Sequence, residues 1–137
     1  MIDLIDTHCH LHEIVAVGGH THEKWLAGGR STEQVIASAH EADVNRMITI
    51  GTSYRDSVLA VDFAQQHREI WTSIGIHPHE SKDHLSDAIL RDFRALATRS
   101  KVVAVGECGL DYYYNYSPKD AQEKVLRFQI ETALEHN

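Results

Sequence analysis

In the stretch LIDTHCHLHE, residues 4–13, Asp6, His8, His10 and His12 occupy every second position, separated by Thr7, Cys9 and Leu11. Alternate side chains of an extended strand share a face, so His8 and His10 project together, about 7 Å apart along the strand. Two imidazoles at that spacing suit one divalent ion, with a neutral ring nitrogen as the donor. The alternative is a hydrogen-bonded histidine pair at a strand edge. The stretch GIHPHE, residues 75–80, brings His77 and His79 behind Gly75 and around Pro78, which closes a strand because it has no N–H to donate. In VGECGLDYYYNY, residues 105–116, Glu107 stands where an apolar run stops. A carboxylate there is costly unless it is paired or bound to metal. Three apolar runs therefore each end in histidine or glutamate, which points to metal-assisted chemistry at one shared end.

The elements that must position these groups follow from hydrophobic periodicity. Residues 2–5, 46–50, 70–76 and 101–105 read as strands, and all but the second are nearly continuously apolar, as parallel strands covered on both faces are. Helical spacing runs over 33–42, 56–67 and 85–99, and Ser117–Pro118 reads as an N-cap followed by proline at the first position of a last helix. Alternation of strand and helix specifies an α/β fold with a parallel sheet and right-handed crossovers. A (β/α)8 barrel uses roughly 250 residues. The first four β-α units fill this chain, so residues 1–137 read as one domain, about half of a TIM-barrel-like fold. Its carboxyl strand ends form the face on which barrel active sites are built. Residues 15–31 exceed a simple crossover and read as a loop insertion bracketed by two Gly-Gly pairs. Within it, Trp25 and His20-Thr21-His22 read as a lid, as an extra metal contact, or as a solvated loop with one tucked Trp.

Composition narrows the function. The formal charge is −7 and eleven histidines are scattered along the chain. An acidic chain has no global attraction for a polyanion, so a nucleic-acid partner needs a local positive source such as metal ions. No apolar run approaches the roughly 18 residues of a membrane span. Asp3 and Asp6 stand where a secretion signal carries lysine or arginine. Cys9 and Cys108 are too few for a disulfide framework and read as small buried hydrophobes, which together suggests a cytoplasmic setting. The aromatic run 112–116 reads equally as a base-stacking surface and as a loop packed on its neighbours. There is no phosphate-binding Walker loop, dinucleotide fingerprint or nucleophile elbow.

The segments LIDTHCHL, GIHPH and GECGLD, in this order and at these intervals, resemble the N-terminal signatures of the TatD family of metal-dependent deoxyribonucleases, within the amidohydrolase-like barrels. Gln122, Phe128 and Gln129 resemble the helix that follows them. The resemblance implies a distorted TIM barrel with one or two divalent ions that hydrolyses DNA phosphodiesters. Carried onto matching positions, it assigns His8 and His10 to the first metal and Glu107 as a catalytic bridge to a second. It also places His77 near the scissile phosphate, with Asp6 and Asp111 as orienting residues. Magnesium or manganese suits the carboxylate and zinc suits the histidines. Two features depart from the family pattern. His12 stands where an aspartate or asparagine usually closes the first signature, and the family's later ligands, two histidines and an aspartate, have no counterpart here. The resemblance therefore implies that activity requires a missing C-terminal half. Alternatives are an inactive half-barrel, one completed by a complementary chain or by self-association through open strand edges, and a related barrel hydrolase of esters, amides or lactones.

Overall fold

A computed structural model describes residues 3–17 and 22–136. Ile2, His20 and Thr21, named above, lie outside the described residues. Four parallel strands, β1 (Leu4–Cys9), β2 (Val44–Ile50), β3 (Ile70–Ile74) and β4 (Val102–Val105), form one sheet in sequential order. Helices α1 (His22–Gly28), α2 (Thr32–Glu41), α3 (Tyr54–Gln66), α4 (Asp87–Leu96) and α5 (Lys119–Glu135) fill the connections. This is the barrel-type β-α succession expected from the pattern.

The core lies between the sheet and its helices. Met47 and Ile70 pack with Ile36 of α2 and Phe63 and Ala64 of α3, while Ile74 joins Val61, Phe93, Leu96 and Val125. α3 serves both clusters because its small and apolar residues recur at helical spacing. The opposite face is more open: Ile48 and Trp71 are half-buried and Val103 is exposed.

Several boundaries differ from the pattern reading. β1 is exposed along nearly its whole length rather than covered on both faces, because it is an edge strand with one neighbour. β3 ends at Ile74 rather than continuing to residue 76. Gly75 leaves the ladder to exchange hydrogen bonds with the Ser57 hydroxyl, and Gln129 takes both backbone groups of Ile76. α5 begins at Lys119, and Ser117 does not cap it. Its hydroxyl instead donates to the His79 carbonyl and accepts from the Lys82 N–H, tertiary bonds that outcompete the local cap. The insertion contains α1, whose Trp25 packs against the first core cluster.

His12 is a buried polar anchor. Its side chain is fully buried, with Nδ1 2.6 Å from Thr49 Oγ1 and Nε2 2.8 Å from Asp56 Oδ1. Asp56 Oδ2 also accepts from the Thr52 backbone and hydroxyl, at 2.8 and 3.0 Å. Burial pushes the Asp56 carboxyl up, but the hydrogen bond and field of His12, with the Thr52 bonds, outweigh it and hold the group below its ordinary 3.8. Asp56→Ala strands the buried imidazole and should cost about 1–3 kcal/mol at neutral pH, measured by urea unfolding. A carboxyl with a lowered folded pKa stabilises above its unfolded value and ceases to as pH falls through the folded one. The gap between native and variant should therefore persist at pH 5 and close below 3.8. A second expectation concerns Gly75, where an added Cβ would lie 2.2 Å from the Glu107 nitrogen and the Gly106 carbonyl carbon. Gly75→Ala must push those backbones apart and should lower the urea midpoint by an equivalent of about 1–3 kcal/mol.

Candidate metal centre

The carboxyl end of β1 supplies the first donors. Cys9 points into the helical core, where its thiol lies 3.4 Å from the Ile48 carbonyl and burial raises its pKa to about 11. The rings of its neighbours His8 and His10 lie together, with centroids 5.4 Å apart. The β1–β2 register slips between Asp6 and Cys9, so the strand alternation is not strict at this point. Asp6 accepts the His8 backbone N–H at 2.9 Å, which fixes the backbone that carries the ligand-type side chains.

β3 and β4 deliver the remainder. Gly106 donates to the Ile74 carbonyl and Glu107 to the Gly51 carbonyl, so the segment after β4 stays tied to the sheet as it turns outward. The Glu107 carboxylate reaches toward two histidines: Oε2 is 3.5 Å from His8 Nε2 and Oε1 is 3.7 Å from His77 Nε2. His77 is positioned by donation of its N–H to the Thr52 carbonyl at 2.8 Å. Its Nδ1 accepts from the His79 N–H at 3.3 Å, which leaves the proton of the neutral ring on Nε2, the nitrogen facing Glu107. Burial first, then the like charge of His79, pulls the His77 pKa down against the opposing pull of Glu107, Asp111 and Glu80.

Donor atoms of His8, His10 and Glu107 all lie within 4.8 Å of one another. His10 Nδ1 is buried without a hydrogen-bond partner. A buried imidazole nitrogen left bare is costly. Two imidazoles and a carboxylate are a donor set that divalent transition ions such as zinc accept, so the residues present fit a metal. His10 and Glu107, with Glu13, Thr52, His77, His79 and Glu80, line a cleft of about 240 Å³.

Asp111 does not enter this cluster. It pairs with His79 Nε2 at 2.5 Å and accepts the Tyr113 and Tyr114 N–H groups, and these bonds, His79 first, hold its carboxyl below the usual range. His79, read from sequence as a candidate or a solvent-facing loop residue, is thus a fixed wall of the cleft. Sequence reasoning missed the pairing of His12 with Asp56 and the place of Glu13 in the cleft; no local signal marks either, since Asp56 lies 44 residues from His12. His12, Glu13 and Asp56 also cluster, but both ring nitrogens of His12 are engaged by Thr49 and Asp56, which makes them an internal anchor rather than open ligands. Cys108 is exposed rather than buried, because the chain after Glu107 swings out of the sheet.

Comparison with known proteins identifies the family. The TatD related DNase family profile matches residues 5–137. The 3'-5' ssDNA/RNA exonuclease TatD of Enterobacter lignolyticus is 39% identical over 106 residues, 77% of this chain and 40% of that protein. Its counterpart in Shigella flexneri is 36% identical over 111 residues, 79% and 41% of the two chains. In structure, the TatD homolog YJJV from Escherichia coli superposes with a TM-score of 0.78 at 25% identity, covering 98% of this chain and 48% of that one. An uncharacterized amidohydrolase from Saccharomyces cerevisiae shares the fold, with a TM-score of 0.73 at 17% identity, over 96% and 44%. The chain spans about two fifths of the length of the curated relatives it matches. With its three motifs on one end of a barrel-type sheet, the chain belongs to the family of TatD-related DNases.

Proposed function

We propose that this chain carries the N-terminal part of a divalent-metal-dependent nuclease site that hydrolyses DNA phosphodiesters. The observation that carries the reading is the convergence of ligand atoms from His8, His10 and Glu107 to within 4.8 Å of one another. Relatives named as 3'-5' ssDNA/RNA exonucleases supply the substrate class. A divalent ion, when bound, contributes Lewis acidity toward a phosphoryl oxygen and a water molecule.

The protein's own groups divide the remaining work. His8, His10 and Glu107 hold the ion, and Asp6 keeps the β1 tip in place through the His8 N–H. His77, neutral and protonated on Nε2, offers an N–H to a phosphate oxygen beside Glu107. Asp111 orients His79 on the cleft wall. Among the described residues no lysine or arginine lines the cleft, so metal cations are the positive charge that attracts phosphate to an acidic surface.

The full ligand set is completed by the rest of a barrel, in the same polypeptide or from another chain. The uncovered edges favour this reading: Leu4 and Ile5 on β1, Val103 on β4, and Ile130 and Leu134 on α5 are all exposed. None of the described helices is long and apolar enough to cross a membrane. Two unpaired cysteines fit a reducing cytoplasmic location.

Calorimetric titration with manganese or zinc should detect binding, and Glu107→Gln or His10→Ala should weaken it by about ten- to a hundredfold. Added to the barrel that completes it, the chain should release nucleotides from single-stranded DNA in a reaction stopped by EDTA. Unchanged metal affinity in both variants, or chelator-insensitive turnover of a carboxylic ester in place of DNA, would refute the assignment.

A further inference from the structure

A second cleft, of about 470 Å³, opens from the metal centre along the segment after β4. It shares His77 and Glu107 with the first and continues past Leu110 to Tyr112 and Tyr113. That volume lies within the roughly 300–1,000 Å³ of small-molecule sites. Tyr113 is 83% exposed and Leu110 46% exposed, so an apolar surface faces water beside the candidate reaction centre.

The loop that presents these rings is fixed. The Asp111 carboxylate accepts the Tyr113 and Tyr114 N–H groups at 2.9 and 3.1 Å, and the buried Gln122 side chain takes both backbone groups of Asp111. Asn115 adopts a left-handed conformation with φ 58° and returns its side-chain N–H to the Tyr113 carbonyl. Tyr112 donates to Glu123 at 3.0 Å, with Lys119 Nζ 4.7 Å from its ring centroid. Tyr113 meets the Tyr114 ring edgewise at 4.9 Å. None of these tyrosines belongs to the two core clusters, so core packing does not account for their ordered display.

We infer that the cleft between Glu107 and Tyr113 is a nucleobase subsite, in which the base flanking the scissile phosphate stacks on Tyr113. A phosphodiester held at His77 and Glu107 must extend a neighbouring nucleotide into an adjoining space, and this cleft adjoins it. Stacking is also the attraction that an acidic chain retains for a single strand, since aromatic rings grip any base without needing phosphate charge. Duplex bases, already stacked, cannot use such a platform, which accords with the single-stranded substrate class already taken from the relatives' names.

The subsite rests on the nuclease reading, and the test separates the two. Fluorescence anisotropy with manganese present and cleavage-resistant phosphorothioate strands compares labelled dT10 with an abasic strand of equal length and charge. The native chain should bind dT10 about 5- to 100-fold more tightly than the abasic strand. Tyr113→Ala should erase that ratio, and Tyr113→Phe should keep it. Residue 113 is exposed, so neither change threatens folding. A ratio near one in the native chain, or one that survives Tyr113→Ala, overturns the subsite while leaving the nuclease reading intact. A native chain that binds neither strand overturns both.

Discussion

The close passage of Gly75 against Gly106 and Glu107 is the constraint on which the site depends. Where β3 and β4 end, their backbones come so near that any side chain at residue 75 would overlap the Glu107 nitrogen. Leaving the sheet there exposes peptide groups that buried surroundings cannot leave unpaired. Ser57 of α3 satisfies Gly75, Gln129 of α5 satisfies Ile76, and the Thr52 carbonyl accepts the N–H of His77. Helices that cover the sheet thus also determine where its chemistry-bearing ends can go.

The histidines divide by what surrounds them. His12 is enclosed and doubly hydrogen-bonded, so it links the β1 tip to the start of α3. His79 is bound to the Asp111 carboxylate on the loop after β4 and shapes the cleft. His8 and His10 stand beside each other with the Glu107 carboxylate 3.5 Å from His8, and their ligand atoms and that of Glu107 lie within 4.8 Å of one another, a grouping that could hold a cation. Identical side chains therefore take up anchoring, wall-forming and ligand-type positions, according to burial and to the partner each ring nitrogen finds.

The same openness runs through the edges and the aromatic loop. A barrel closes its sheet on itself, whereas here β1 and β4 each have one strand partner and Val103 stands exposed. The tyrosine loop is different in kind: its backbone is held at Asp111, Tyr113 and Tyr114 while its rings remain exposed. The edges expose apolar residues for want of a neighbouring strand; the loop displays them on a rigid frame.

By itself the sequence determined the α/β order, the parallel pattern and the location of His8, His10, His77 and Glu107 at strand ends. These are legible because side-chain period and strand punctuation are local properties of the chain. Pro78 and the glycines beside Glu107 mark those ends within a few residues. Only the tertiary structure decided that Ser117 bonds to the His79 loop instead of capping α5, that Asp111 serves His79, and that His12 is held by Asp56. Each of those partners lies more than thirty residues away along the chain. Which acceptor a donor finds at such separation depends on how helices dock on the sheet, and no local spacing encodes that.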